Sequence, residues 1–283
     1  MGMWAMKVWM LIDDKRSSRF LKKEHGLSLY IESTNKKIVF DTGATGTFIN
    51  NAVKMGIHLK DVDFAVISHA HKDHSGGLTK FLELNNQARV LMHSKAIQQY
   101  YIKLLGLTKN ISAPVEIFNT YRNRVCFIDA FTELGDNTFV VTNFTRKYPL
   151  LKSSKNLLVR NDGELICDDF EHELALVINN DGKLVIICGC SHNGIENMIE
   201  TVMEYFPDIP IGTVIGGFHL MDFPMNVIQE KKEDIIGIGK RLSSYQIDHI
   251  YTCHCTGNRS FGILKEILGN KLDYFYTGMH VEL

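Results

Sequence analysis

The sequence predicts an α/β (or α+β) protein in which two similar halves pack sheet against sheet. Short apolar, β-branched runs alternate with helical patterns between residues 37 and 92, and again between residues 174 and 276. The hydrophobic content of 45% is ample for a substantial core. Loops that contain histidine follow several of the predicted strands, and α/β proteins carry their ligand-binding loops at the carboxyl ends of strands.

The elements of the first half follow from short-range patterns. An apolar run predicts strand Lys7–Ile12, and the next strand is predicted at Lys37–Phe40. A helix is expected over residues 47–55. Residues 64–67 form a β-branched run typical of a buried strand, and they are followed by helix Leu78–Leu84 and a strand over residues 88–92.

The second half begins with a predicted hairpin. Its strands lie at residues 174–178 and 184–188, and Asn180-Asp181-Gly182 between them is a typical hairpin turn. The remaining predicted elements alternate again. They are an amphipathic helix with apolar positions at 195, 198, 199, 202 and 203, a strand at 213–215, a polar helix at 227–242, a strand at 247–251, a helix at 263–268 and a strand at 272–276.

Residues 95–165 differ in character from both halves, because they are aromatic and irregular. We expect them to form an inserted, cap-like segment over the site. Their basic residues could direct phosphate groups toward the site or form a solvated surface. These residues are Arg146, Lys147, Lys152, Lys155 and Arg160.

Charge and cysteine content limit the class of protein. The 31 basic and 32 acidic residues leave a net charge of −1, which argues against nucleic acid or an anionic membrane as the main partner. The apolar run near the amino terminus is too short for a transmembrane helix and lacks a cleavage site. Six cysteines are too few for a disulfide scaffold of this length. We therefore expect a cytoplasmic protein that acts on a small molecule, as a monomer or an oligomer.

The most informative motif is His69-x-His71-x-Asp73-His74, directly after the strand predicted at 64–67. On an extended chain His69 and His71 project to the same side. Asp73 and His74 follow where Gly76-Gly77 would let the chain turn into a helix. Imidazole and carboxylate suit zinc, iron or manganese, and chance alone gives such a motif about once in a thousand sequences of this composition.

Other histidines also follow predicted strands. His192 and His254 lie in this position, and we interpret both as metal ligands or active-site residues. His219 repeats the position, and for it the active-site and core interpretations are equally balanced. The remaining histidines are assigned no role in the site, with His172 expected at the surface and His25 kept as a near-site candidate. They are His25, His58, His93, His172, His249 and His280.

Two Cys-x-Cys pairs raise the alternative of a four-cysteine zinc or iron–sulfur site. If the chain is extended at His254, however, Cys253 and Cys255 point away from it and into the core. Cys190 would share a side with His192, so we interpret it as a thiol near the site. Asp41, after strand Lys37–Phe40, could orient a ligating imidazole.

These motifs resemble the metallo-β-lactamase superfamily. The matching features are Phe40-Asp41-Thr42-Gly43, the histidine motif with its two glycines, His192 and His254. The resemblance implies a single domain over residues 1–283, folded as a four-layer αββα sandwich with the metals at one edge of the sheets. Four segments also resemble the dihydropteroate-synthase-like, methanopterin-pathway branch of the superfamily. They are residues 24–28, 189–192, 216–220 and 254–257.

The resemblance also implies a ligand set for two divalent metal ions, with zinc as the first choice and iron or manganese as alternatives. One ion would be held by His69, His71 and His192, and the other by Asp73, His74 and His254. The superfamily usually adds a bridging aspartate after a glycine at a strand end. In this sequence the strand ends Cys188-Gly189-Cys190, so a thiol takes the place of the carboxylate.

The function implied is that of a metal-dependent hydrolase acting on an ester- or phosphate-type small molecule through a metal-bound water. Asp73 would hold the attacking water, and His219 would donate a proton or bind the substrate. One alternative is a transferase that joins a dihydropterin methyl diphosphate to an aminobenzene acceptor. Another is a non-catalytic iron- or redox-sensing protein that uses Cys190.

Overall fold

Two seven-stranded sheets and one four-stranded sheet form the β-structure of the computed structural model, which describes residues 6–221 and 230–283. The strands in these residues are β1 (Lys7–Ile12), β2 (Ser28–Glu32), β3 (Lys37–Phe40), β4 (Phe64–Val66), β5 (Arg89–Met92), β6 (Tyr100–Leu104), β7 (Leu107–Asn110), β8 (Val125–Phe127), β9 (Thr132–Gly135), β10 (Thr138–Val141), β11 (Leu157–Asn161), β12 (Glu164–Cys167), β13 (Ala175–Asn180), β14 (Lys183–Cys188), β15 (Ile211–Gly216), β16 (Ile247–Thr252), β17 (Leu272–Tyr274) and β18 (His280–Glu282).

The same residues contain seven α-helices. They are α1 (Thr47–Lys54), α2 (Lys72–Ser75), α3 (Leu78–Leu84), α4 (Glu116–Thr120), α5 (Ile195–Tyr205), α6 (Lys232–Ser244) and α7 (Asn258–Leu268). In the part of the chain that the structure describes, none of these helices has the length and apolar character needed to cross a bilayer.

Each large sheet combines antiparallel and parallel strands. The first has the order β18-β1-β2-β3-β4-β5-β8, and the second has the order β17-β16-β15-β14-β13-β10-β9. Strands β3, β4, β5 and β8 are parallel, as are β14, β15, β16 and β17. Parallel neighbours end at the same edge of a sheet, so each sheet gathers several strand ends at one edge.

Side chains alternate along the central strands between two different cores. On β3, Phe40 lies between the two sheets, whereas Val39 packs against α1 and α3. On β14, Ile187 lies between the sheets, whereas Ile186 packs against α5, α6 and α7. This two-residue period buries both faces of each sheet. The layers are therefore helices, sheet, sheet and helices, which confirms the predicted αββα sandwich.

Most predicted elements are present. Strands β1 and β3 and helix α3 have the predicted bounds, and the hairpin turn lies between β13 and β14. Asp181 and Gly182 in that turn have φ values of 50° and 80°, as a tight hairpin requires. Helix α7 begins at Asn258, five residues before its predicted start. The predicted helix over 227–242 is observed from Lys232, and residues 222–229 lie outside the described residues.

The segment 95–165 is not one continuous insertion. Its outer parts form the small antiparallel sheet, in the order β12-β11-β6-β7. Its middle part returns to the body of the molecule, because β8 is the edge strand of the first large sheet and β9 and β10 belong to the second. A sequence pattern could not assign these strands to sheets, because strand pairing joins residues that are far apart in the chain.

Candidate metal centre

Loops that follow strands of both large sheets meet at one edge of the sandwich. The rings of His69, after β4, and His192, after β14, have centroids 4.8 Å apart. The rings of His74 and His254 have centroids 5.1 Å apart, and those of His192 and His219 are separated by 4.2 Å. The predicted histidines are thus brought together from positions far apart in the sequence.

The histidine motif has the predicted local geometry. His69 and His71 project to one side, with ring centroids 4.6 Å apart. Helix α2 then places Asp73 and His74 at the same cavity, where Asp73 Oδ2 lies 3.6 Å from His74 Nε2 and 3.3 Å from His254 Nε2. These residues come from both sheets, and their side chains form a single cluster.

The two glycines after the motif lie between helices α2 and α3, and the structure requires them for close packing. Gly76 and Gly77 have ordinary φ values of −66° and −83°. A Cβ on Gly77 would overlap the carbonyl oxygens of Thr42 and Thr45. The glycines therefore let the α2 segment lie directly against the loop after β3.

Asp41 orients two imidazoles from behind, as the sequence suggested. Its Oδ2 accepts a hydrogen bond from His74 Nδ1 at 2.6 Å and from Ser68 Oγ at 2.7 Å. Because the Ser68 hydroxyl hydrogen is directed at Asp41, its oxygen accepts from His69 Nδ1 at 2.8 Å. Each ring is therefore held through Nδ1, which directs its Nε2 atom into the cluster.

Asp14 orients the imidazoles of His254 and His25 in the same way, and the sequence did not indicate this residue. Its Oδ1 accepts from His254 Nδ1 at 2.8 Å, and its Oδ2 accepts from His25 Nδ1 at 3.0 Å. The Nε2 atoms of both rings then face Asp73, with His25 Nε2 at 3.5 Å from Asp73 Oδ2. His25 thus lies at the edge of the cluster, which agrees with its prediction as a near-site residue.

The prediction that His172 lies at the surface is wrong. The side chain is fully buried, and its Nδ1 accepts a hydrogen bond from the Ala70 amide, between His69 and His71, at 3.0 Å. Its Nε2 donates to Asp168 at 3.0 Å, and Asp168 lies 3.8 Å from His71 Nε2. The sequence pattern did not indicate this role, because only the packing of the two sheets brings His172 next to Ala70.

Glu173 fixes the loop that carries His192. It is completely buried, and its two carboxylate oxygens accept hydrogen bonds from the amides of His192 and Asn193, each at 2.8 Å. Burial raises the pKa of Glu173, although the hydrogen bonds from Asn193 and His192 oppose this effect. The position of His192 thus depends on an acidic residue that the sequence analysis did not consider.

The cysteine predictions are partly correct. Cys190 lies in the cluster, with its Sγ 3.1 Å from His74 Nε2, whereas Cys253 packs between the sheets as expected. Cys255 was wrongly assigned to the core. It contacts the cluster because His254 has a left-handed φ of 46°, so the chain turns there and side chains stop alternating. Cys188 packs against the helices, and Cys167 is exposed.

Four residues of these loops have a strained backbone. Asp41, Ser191, His219 and His254 have φ values of 59°, 56°, 46° and 46°, in the left-handed region that residues other than glycine rarely adopt. Such conformations each cost on the order of 1–3 kcal/mol and are typical of functional sites. The strain here turns the strand ends so that their side chains face a common centre.

The protonation states of His69, His192 and Asp73 suit metal binding. Burial, reinforced by neighbouring imidazoles, lowers the pKa of His69 and His192 well below the ordinary histidine value, so both rings are neutral. Burial would raise the pKa of Asp73, but the surrounding histidines outweigh it and hold that pKa well below its usual range. Neutral imidazole and ionised carboxylate are the forms that coordinate divalent cations.

The cluster also contains ring nitrogens with no hydrogen-bond partner in the described structure. They are buried and belong to His69 (Nε2), His71 (Nε2), His192 (both), His219 (both) and His254 (Nε2). A buried polar atom without a partner costs about 1–3 kcal/mol. One ligand atom each from His69, His71 and His192 lie within 4.8 Å of one another. The donors present therefore fit a divalent transition metal.

A pocket of about 460 Å³ opens onto the cluster. His219 contributes to its wall, and the main chain of His219 is held by two contacts. Its amide donates to Cys255 Sγ at 3.2 Å, and its carbonyl accepts from Ser153 Oγ at 2.6 Å. The small sheet supplies much of the opposite wall. The apolar residues there are Ile102, Leu104, Ile111 and Leu157, and Lys72 and Lys109 also line the pocket.

Basic residues of the inserted segment make contacts at the surface and not in the pocket. Lys147 pairs with Glu200 at 2.9 Å, and Lys152 pairs with Asp234 at 2.7 Å. Arg160 lies over the ring of Tyr101. These contacts are on the surface, so the structure favours the solvated interpretation for these three cations.

Comparison with known proteins agrees with this architecture. The model of the metallo-beta-lactamase superfamily matches residues 22–139. A relative from Methanocaldococcus jannaschii, named 7,8-dihydropterin-6-methyl-4-(beta-D-ribofuranosyl)-aminobenzene-5'-phosphate synthase, is 27% identical over 272 residues, which cover 90% of this chain and 88% of the relative. YhfI from Bacillus subtilis, a metallo-beta-lactamase fold protein, is similar in fold alone, with a TM-score of 0.59, 12% identity, and coverage of 98% of this chain and 99% of that chain.

The crystal structure of Tm1679 provides stronger evidence. That protein is described as a metal-dependent hydrolase of the beta-lactamase superfamily, and it aligns with a TM-score of 0.82. The identity is 33%, and the alignment covers 98% of this chain and 99% of Tm1679. The family match, the αββα layers and the histidine cluster agree, and this chain belongs to the metallo-β-lactamase superfamily.

Proposed function

We propose that this protein is a metal-dependent hydrolase that acts on an ester- or phosphate-type small molecule. The observation that carries the proposal is the set of buried ring nitrogens of His69, His71, His192 and His254, which have no hydrogen-bond partner and face a common centre. The similarity to Tm1679 supports it, because that protein is described as a metal-dependent hydrolase.

In this proposal two divalent ions share the cluster, with zinc as the first choice and iron or manganese as alternatives. His69, His71 and His192 would hold one ion, and Asp73, His74 and His254 would hold the other. Bound there, the ions would act as Lewis acids that lower the pKa of a water and stabilise negative charge on a substrate oxygen.

The residues around the cluster would bind and orient the substrate. Asp73, ionised and held among His25, His74 and His254, would orient the attacking water with its carboxylate. His219, whose ring faces the pocket, would donate a proton to the leaving group or bind the substrate. The apolar wall of the small sheet, together with Lys72, favours a substrate with an apolar part and a negative charge.

Elemental analysis of purified protein tests the metal assignment. The His71→Ala variant should bind less metal than the wild type and lose hydrolytic activity, because it lacks one ligand of the first ion. His58→Ala is the matched control, since His58 is exposed and lies outside the cluster. Unchanged metal content in His71→Ala would refute the assignment. A panel of phosphodiester, lactone, thioester and pterin-phosphate substrates would then identify the bond that is cleaved.

A second candidate is a transferase that joins a dihydropterin methyl diphosphate to an aminobenzene acceptor. The observation that favours it is the 27% identity to the Methanocaldococcus jannaschii synthase over most of both chains. Incubation with the diphosphate, with and without the acceptor, distinguishes the candidates. A product that joins both substrates supports the transferase, whereas hydrolysis of the diphosphate at the same rate in either case supports the hydrolase.

A cytoplasmic location of the protein also stays a prediction.

A further inference from the structure

Cys190 occupies the centre of the cluster. Its Sγ lies within 4.8 Å of ligand atoms of His69 and His74 and of His192 and His219. It lies within the same distance of ligand atoms of His254 and Cys255. The Cys190 sulfur is thus close to proposed ligands of the first ion, such as His69 and His192, and of the second ion, His74 and His254. The Cys190 residue is 3% exposed, and its Sγ is 3.1 Å from Nε2 of His74.

The acidic residues around the cluster leave the centre short of negative charge. Asp41, Asp14 and Glu173 are engaged by hydrogen bonds on the outer side of the imidazoles or their loops. Asp168 lies 3.8 Å from His71 Nε2 and is hydrogen-bonded to His172 at 3.0 Å. Asp73 directs an oxygen toward the Nε2 atoms of His74 and His254. Two divalent cations with Asp73 as the one ionised ligand among the six predicted would leave a large positive charge in a buried site, which is unfavourable.

The neighbouring thiol of Cys255 has a different environment. Its Sγ accepts a hydrogen bond from the His219 amide at 3.2 Å and donates to the Cys190 carbonyl oxygen at 3.8 Å. These contacts connect three loops that carry cluster residues. Cys255 is therefore suited to position Cys190 and His219. The Cys190 sulfur contacts the Cys255 thiol as well, and it lies 3.1 Å from the imidazole Nε2 of His74.

We propose that Cys190 is a thiolate ligand shared by the two metal ions, in the place where the sequence lacks a carboxylate. This inference rests on the proposed metal centre. When the ions bind, the S–H bond of Cys190 breaks, the proton leaves to solvent, and the electron pairs of the sulfur bind the cations. No oxidation or reduction is involved. The thiolate lowers the charge of the centre by one, and a soft ligand favours zinc or iron over magnesium or calcium.

Replacement of the native ions by Co²⁺ tests this assignment, because a cobalt–thiolate bond has a charge-transfer absorption band that imidazole and carboxylate ligands lack. The wild type should show the band and bind two Co²⁺ ions per chain. Cys190→Ser should lose the band and bind cobalt at least about tenfold more weakly. Cys190→Asp should lose the band but retain both ions, so the test does not depend on the serine variant alone.

Two control variants locate the sulfur. Cys255→Ser should keep the band, and Cys167→Ser, at an exposed position, should be unchanged in both band and affinity. A band that persists in Cys190→Ser, or that disappears in Cys255→Ser alone, would overturn the assignment. Cobalt binding without a band in the wild type would overturn it but leave the proposed metal centre intact. Failure of the wild type to bind cobalt would overturn both.

Discussion

The carboxylate of Glu173 should control both the stability of the protein and the position of His192. Its two oxygens accept hydrogen bonds from the amides of His192 and Asn193 and from the Asn193 side chain, at 2.8, 2.8 and 2.9 Å. All of these groups are buried, so water is excluded from their donors. We therefore expect Glu173→Ala to leave two main-chain N–H groups without acceptors.

The expected loss of stability follows from these contacts. A buried donor left unsatisfied costs about 1–3 kcal/mol, so two amides together cost about 2–6 kcal/mol. Glu173→Gln keeps one amide oxygen as an acceptor and should lose about 1–3 kcal/mol, or roughly half as much. Because His192 is a proposed ligand, both variants should also bind the first metal ion about 10–100-fold more weakly, as replacement of such supporting residues typically does.

Urea unfolding followed by circular dichroism measures the first effect, and competition with a zinc chelator measures the second. Glu171→Ala is the matched control, because Glu171 is an exposed neighbour and should change stability by less than about 0.5 kcal/mol. A loss below about 1 kcal/mol in Glu173→Ala would refute the reasoning, since it would mean that the two amides find other partners. Normal zinc affinity in a destabilised variant would show that the loop position is set elsewhere.

Three further predictions concern other supports of the fold and the cluster. Gly189→Ala should weaken zinc binding in chelator competition, because its Cβ would overlap Ser68 Oγ; normal affinity would show that the loop can shift. Burial lowers the pKa of His93, despite Asp129, so the unfolded chain binds more protons near pH 6. The stability of the wild type relative to His93→Asn should therefore rise between about pH 5 and pH 7.5 in thermal unfolding, and a flat difference would contradict this. Asp14→Asn should bind the second ion about 10–100-fold more weakly, because His254 loses the carboxylate that orients it, and unaltered affinity would exclude an orienting role.

Much of the fold could be predicted from the sequence, because the patterns involved are local. The two-residue period of strands such as β3 and the turn at Asp181-Gly182 depend on neighbouring residues alone. The strands of the segment 95–165 could not be assigned to sheets, since pairing joins residues that are far apart. Thus β10 pairs with β13, and β11 pairs with β6 across the small sheet.

The same distinction holds for the site. The motif residues are close together in the sequence, so their convergence follows from local geometry. They are His69, His71, Asp73 and His74. Asp14 and His254 are 240 residues apart, and Ala70 and His172 are 102 apart, so nothing in the sequence pattern indicates either hydrogen bond. Cys255 was misplaced because one residue with positive φ ended the extended conformation on which its prediction depended.

The sequence by itself determined the class of fold, the type of chemistry and the main candidate ligands, since apolar periods and the spacing of histidines act over a few residues. The tertiary structure decided which side chains orient those ligands, and it placed Cys190 among histidines of both sheets. The physical reason is that carboxylates and thiols reach the cluster only when the edges of two sheets are packed together. Burial there removes water, so each imidazole needs a defined partner.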